Sequence, residues 1–226
     1  EARALLRAPL PSIRSGYRAA PRGSSPQQQR RRLGIAHPRH ALRKQRGSAP
    51  LALEFMILTA GRTGEVTGAK WGEIDFGAKV WTIPSPRMKA NREHRVPLCD
   101  RAVEILNSIK TPRNPDDFIF PGWKNATGLS NGAMLALMEK MKYGQYTAHG
   151  FRSTFRDWAA EEAHGFQNET VELALAHIIK SHAERAYRRG DQLDRRRELM
   201  NEWRRYVEVD QSKIKGKVVK IKRRAA

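Results

Sequence analysis

Just after Pro50 the chain runs Leu51, Leu53, Phe55, Met56, Ile57 and Leu58 with almost no polar relief. That density predicts a helix which stops near Gly61. A second short helical stretch follows, and then the pattern shortens. Residues 71–75, a turn at 76–79 and residues 80–83 predict a β-hairpin. Residues 95–98 predict a third strand, entered through the polar loop 86–92. Asp100 is placed to cap a helix carrying Val103, Ile105, Leu106 and Ile109 on its apolar side. A Pro/Asn/Asp loop (111–117) and an apolar run ending at Pro121-Gly122 lead to a further helix. Ser130 is its expected cap, and Met134, Leu135, Leu137, Met138 and Met141 are its apolar positions. Residues 149–163, 169–177, 182–189 and 191–207 all predict helices. The fold class is therefore α+β, mainly α, with one small sheet inserted early and no internal repeat.

The two ends do not follow this pattern. Residues 1–46 mix Arg, Pro, Ser, Gly and Gln, including the run QQQRRR, without an apolar period. They predict either a disordered basic arm or a non-native segment of out-of-frame text. Residues 47–210 form the expected globular domain and 211–226 a basic tail. Charge sharpens this division. Of the formal +20, the first fifty residues hold 12 Lys and Arg against one acid, and the tail holds 7 against none. The stretch between them, 51–210, balances 24 basic residues against 22 acidic ones. A polyanionic partner is the natural expectation, met by basic residues gathered on one face of the body.

Some classes fall away at once. The single cysteine, Cys99, can form no internal disulfide, and no Cys/His cluster has zinc-ligand spacing. Cys99 is expected to pack, half-buried, at a strand end. No apolar run is long enough to span a bilayer, and no signal-like core opens the chain. A protein of the cytoplasm or nucleoid is expected, with no cofactor and no metal.

Five segments arrive in order: TAGRTGEV (59–66), RMKANREHRVPL (87–98), HGFRSTFRDW (149–158), LALAHIIKSH (173–182) and ERAYRRGD (184–191). Together they resemble the catalytic domain of the tyrosine recombinases, in particular integrases of the satellite-phage and genomic-island type. The resemblance covers about residues 50–207. It implies a DNA breaking-rejoining fold with a three-stranded antiparallel sheet, and site-specific strand exchange through a 3′-phosphotyrosine link for integration or excision of a mobile element. It also implies double-stranded attachment-site DNA as partner, and a monomer that assembles as a homotetramer at synapsis, with room for an accessory DNA-bending protein. Integrases of this type carry arm-binding and core-binding domains that residues 1–46 do not match, so weak, poorly selective cleavage is expected of this domain. A DNA-binding remnant without catalysis and a type IB topoisomerase-like enzyme share enough of this pattern to stay open.

The chemistry explains why these residue types belong together. Attack on a phosphodiester loads negative charge onto the non-bridging oxygens, and planar, permanently charged guanidiniums match it. By resemblance Arg62 and Arg152 are that pair, with Glu65 orienting Arg62. A bare arginine in so basic a chain is usually solvated charge. Arg62 departs from that because it follows an apolar helix and precedes Thr63-Gly64-Glu65. Tyr187 is the nucleophile by resemblance, and a phenol needs cationic surroundings to attack near neutral pH. Lys89, on a mobile loop between strands two and three, is the implied general acid for the leaving 5′ oxygen. A basic loop that merely touches phosphate is the rival reading there. His149, three residues before Arg152 at a helix start, would assist proton handling, and His177 would hydrogen-bond the scissile phosphate. His94, His164 and His182 are read as ordinary packed or surface residues. Phe151, Phe155, Trp158 and Leu173–Leu175 are read as core beneath the site.

Overall fold

A computed structural model of the chain describes residues 41–123, 127–177 and 190–208. The dense apolar run forms helix α1 (Ser48–Thr59), whose residues from Ala52 to Thr59 are all buried. A helix apolar on every side must be wrapped on every side. Here α2 (Thr63–Thr67), α3 (Asp100–Ser108), α4 (Ala133–Lys140), α5 (Ala148–Glu161) and α7 (Leu193–Glu208) all pack on it. Helix α6 (Asn168–Ala174) packs on α5 and α7. Leu42, which the sequence pattern leaves with the basic arm, is buried in this core. None of these helices is long and apolar enough to cross a membrane.

The sheet is three-stranded and antiparallel in the order β1-β2-β3, with β1 Ile74–Asp75, β2 Val80–Ile83 and β3 His94–Pro97. Its register pairs Ile74 with Trp81 and Trp81 with Val96. The first strand is shorter than the pattern predicts, because Trp71–Glu73 coil into a 3-10 turn. The amides of Trp71 and Gly72 there donate to the carbonyls of Asp117 (3.1 Å) and Pro115 (2.9 Å). A Cβ on Gly72 would lie 3.0 Å from that Pro115 oxygen, so a larger residue there would press on the Pro115 loop.

Two expected caps are replaced. Asp100 is the first residue of α3 rather than its cap, which is Cys99, buried and with no side-chain hydrogen bond. The Asp100 carboxylate instead accepts from Lys79 Nζ at 2.8 Å, which holds it below the usual carboxylate range. The α4 cap is Gly132, not Ser130, and Leu135 faces solvent. Cys99 is buried rather than half-buried, and that burial pushes its thiol up. The helix expected over 182–189 lies outside the described residues.

Helix α7 closes the domain through aromatic packing. Trp203 is fully buried, donates Nε1–H to the Ile57 carbonyl (2.8 Å), and meets Phe155 edge-on at 5.2 Å and Trp158 at 5.2 Å. Its start is tied to the sheet by Arg196, whose side chain is only 2% exposed. Arg196 donates to the Asp191 carboxylate (2.8 Å), to the Asp191 carbonyl (2.7 Å) and to the Arg95 carbonyl of β3. Trp203→Ala is expected to cost about 4 kcal/mol, the range for emptying a buried tryptophan site. Denaturant melting checks this, and a loss below about 1 kcal/mol would show that α7 is dispensable to the core.

Candidate active site

The site is assembled where two helices end. Helix α1 stops at Thr59, and Ala60 takes left-handed backbone angles (φ 49°, ψ 28°). Helix α6 stops at Ala174, and Ala176 is also left-handed (φ 46°). The last carbonyls of a helix have no intrahelical partner and carry the negative end of its dipole. Arg152, rising from α5, fills both gaps. Its guanidinium donates to the Ala60 carbonyl (2.7 Å) and to the Leu175 carbonyl. Burial, and then the neighbouring Arg62, lower its pKa to about 10, so it stays charged at neutral pH.

Arg62 reaches the same place from the other side. Its Nη2 donates to the Leu175 carbonyl at 3.4 Å, so the two guanidiniums meet at one backbone oxygen. Glu65, 5% exposed, grips Arg62 twice, accepting Nη1–H at 2.6 Å and the backbone N–H at 2.8 Å. The second bond is the reaching-back half of a capping box at the start of α2. Local helix chemistry thus fixes a residue that tertiary structure aims.

An open groove of about 470 Å³ lies beside this pair, lined by Arg62, Gly64, Glu65, Arg87 and Lys89. Lys89 is exposed at its edge. Helix α6 ends at Ala174, short of the predicted 169–177 helix, and His177 follows the left-handed Ala176. His149 is exposed in the first turn of α5, where Thr147 caps the helix by accepting from the Gly150 amide at 3.0 Å. Arg62, Glu65 and Lys89 thus line one groove, Arg152 meets Arg62 at the Leu175 carbonyl, and His177 lies two residues further along the chain, while His149 is not among the groove's lining residues. Tyr187 lies outside the described residues.

Two further residues escape the sequence pattern. Glu172 accepts from His177 Nδ1 at 2.6 Å and from Arg156 Nε at 3.0 Å. A carboxylate on Nδ1 leaves Nε2 as the nitrogen free to face a phosphate. An acid five residues before a site histidine is the signal that could have found it. His94, read as an ordinary histidine, sits at the start of β3 within the fields of Arg196, Glu65 and Arg152 and beside the Ala174 backbone. Desolvation first and Arg196 second lower its pKa from 6.5 to about 4. The unfolded chain then binds the proton more readily, so stability is full above about pH 6.5 and drains as pH falls toward 4. In NMR titration the His94 ring should remain neutral at pH 5.5, and His94→Asn should melt with less acid sensitivity between pH 7 and 5. A His94 midpoint near 6.5 would refute this.

Comparison with known proteins agrees with the geometry. The phage integrase family model matches residues 35–193. The prophage integrase IntA of Escherichia coli K12 is 39% identical over 160 residues, covering 70% of this chain and 38% of that protein. The integrase of Enterobacteria phage P4 is 30% identical over 180 residues, covering 72% and 41%. The chain thus spans about two fifths of the length of these relatives. In fold it is similar to the integrase from mycobacterium phage Brujita, with a TM-score of 0.55 over 88% of this chain and 61% of that one, at 22% identity. With the motif order, the mainly helical fold with its small antiparallel sheet, and the family match over most of its length, the chain belongs to the phage integrase family of tyrosine recombinases.

Proposed function

We propose that this chain is the strand-cleaving and rejoining domain of a site-specific integrase, acting on double-stranded attachment-site DNA to integrate or excise a mobile element. The observation that supports this best is the meeting of Arg62 and Arg152 at the Leu175 carbonyl, beside the groove that Lys89 lines. Two guanidiniums a few ångströms apart repel one another. A phosphate entering between them relieves that repulsion, and more so as charge builds on its oxygens in the transition state.

In this reading the Tyr187 oxygen attacks phosphorus and its proton passes to solvent by way of His149. The bond to the 5′ oxygen breaks, and Lys89 gives that oxygen its proton. A 3′-phosphotyrosine and a free 5′ hydroxyl result. Attack by an incoming 5′ hydroxyl reverses each step, so no external energy source is needed to reseal. His177, oriented by Glu172 and carrying a proton on both ring nitrogens, donates Nε2–H to a non-bridging oxygen. Four copies assemble at synapsis, since recombining two duplexes requires four strand cleavages.

Nicked duplexes of randomised sequence, which trap a cleaved strand by losing the short fragment, test the reading. A covalent protein–DNA adduct should form weakly and vanish in Tyr187→Phe. Adduct that persists in that variant removes Tyr187 from the role, and its absence from the parent protein leaves only a DNA binder. Arg62→Ala should lower adduct formation by roughly 10²–10³-fold, the loss typical of one transition-state donor. Its DNA affinity, by titration, should change less than about tenfold, since one phosphate contact among many is lost. Arg62 suits this test better than Arg152, whose removal would also strip two helix ends of their partner.

A further inference from the structure

The residue that sets where Lys89 can act is two positions before it. Arg87 ends the 3-10 turn Ser85–Arg87 that follows β2. Its guanidinium is committed in two directions. One arm pairs with the Glu73 carboxylate, whose other oxygen accepts Trp81 Nε1–H at 2.9 Å. The other arm donates to the backbone carbonyl of Glu65, the residue whose carboxylate grips Arg62. The space it occupies is kept open by Gly68, where a Cβ would lie 3.1 Å from Arg87 Nη2. Met88 is buried in the core, and Lys89 is the first exposed residue after it. Lys89 is therefore not the middle of a freely moving loop but the first residue beyond a double anchor.

We propose that Arg87 is a positioning residue for strand transfer, locking the base of the Lys89 loop to the Glu65 peptide so that the lysine and Arg62 address the same phosphate. This rests on the strand-transfer reading above. A solvated or DNA-contacting arginine would present its nitrogens outward. Arg87 instead spends them on a carboxylate that is 9% exposed and on a carbonyl of the neighbouring helix. Each acceptor sits in a different element, so one planar fork fixes the distance between them in a way a lysine at this position could not. Misplacement by an ångström is enough to lose proton transfer while leaving the substrate bound.

Leaving-group chemistry separates this role from a general structural one. A sulfur in place of the bridging 5′ oxygen departs as a thiolate and needs no proton. The full chain is tested on a randomised duplex pool carrying one such 5′-bridging phosphorothiolate, against the all-oxygen pool, with Tyr187-dependent adduct as the readout. Arg87→Ala and Lys89→Ala should each slow adduct formation on oxygen by about 10²-fold, and each should recover to within about threefold of the parent on sulfur. The double variant should be no slower on oxygen than Lys89→Ala alone, because the two act as one unit. Glu73→Gln, which keeps the shape of the network, should show a smaller loss with the same sulfur rescue. Equal losses of Arg87→Ala on both pools overturn the proposal in favour of a role in the fold or in Arg62 placement. A comparable loss of DNA affinity overturns it in favour of a phosphate contact. If Lys89→Ala is rescued by sulfur while Arg87→Ala is not, the strand-transfer reading stands and the Arg87 assignment alone falls. If the parent forms no Tyr187-dependent adduct on either pool, both fall.

Discussion

The buried guanidinium of Arg152 decides how the helix ends around the groove are put together. Arg152 lies at 6% exposure between the C-terminal ends of α1 and α6, and its nitrogens satisfy carbonyls that neither helix can satisfy alone. Removing a guanidinium from water costs several kcal/mol, and only oriented dipoles or charges can offset it. Two helix ends supply them. The same arrangement demands that both helices stop where they do, with Ala60 and Ala176 in left-handed geometry that an alanine adopts only under constraint. The charge that would meet a phosphate is also the charge that joins the pieces.

Around that centre, carboxylates hold cations in place instead of competing with them. Glu65 fixes Arg62, Glu172 fixes His177 and Arg156, Glu73 fixes Arg87, and Asp191 fixes Arg196. Each of these acids orients a basic side chain. Long basic side chains lose much rotamer freedom when ordered, and fixing them in advance spares that cost when substrate binds.

Much of this is legible in the sequence. The apolar run at 51–58, the hairpin and the third strand follow from pattern, and the fold agrees; the choice of Arg62, Lys89, Arg152 and His177 comes from the resemblance. Local signals that depend on distant partners are not legible. Asp100 has the pattern of a cap, but Lys79, in the turn before β2, takes its carboxylate. His94 reads as ordinary because its surroundings come from α2, α5, α6 and α7, elements far from it in the sequence.

Which segments are apolar, where helices and strands alternate, and which residue types are available for phosphate chemistry can be read from the chain directly, because these depend on periodicity and composition within a few residues. Tertiary structure alone decided that Arg62 and Arg152 share the Leu175 oxygen, that Glu172 turns His177, and that Arg87 ties the Lys89 loop to Glu65. Those pairings span up to 113 positions. Their geometry is set by how helices pack around α1, which no local pattern encodes.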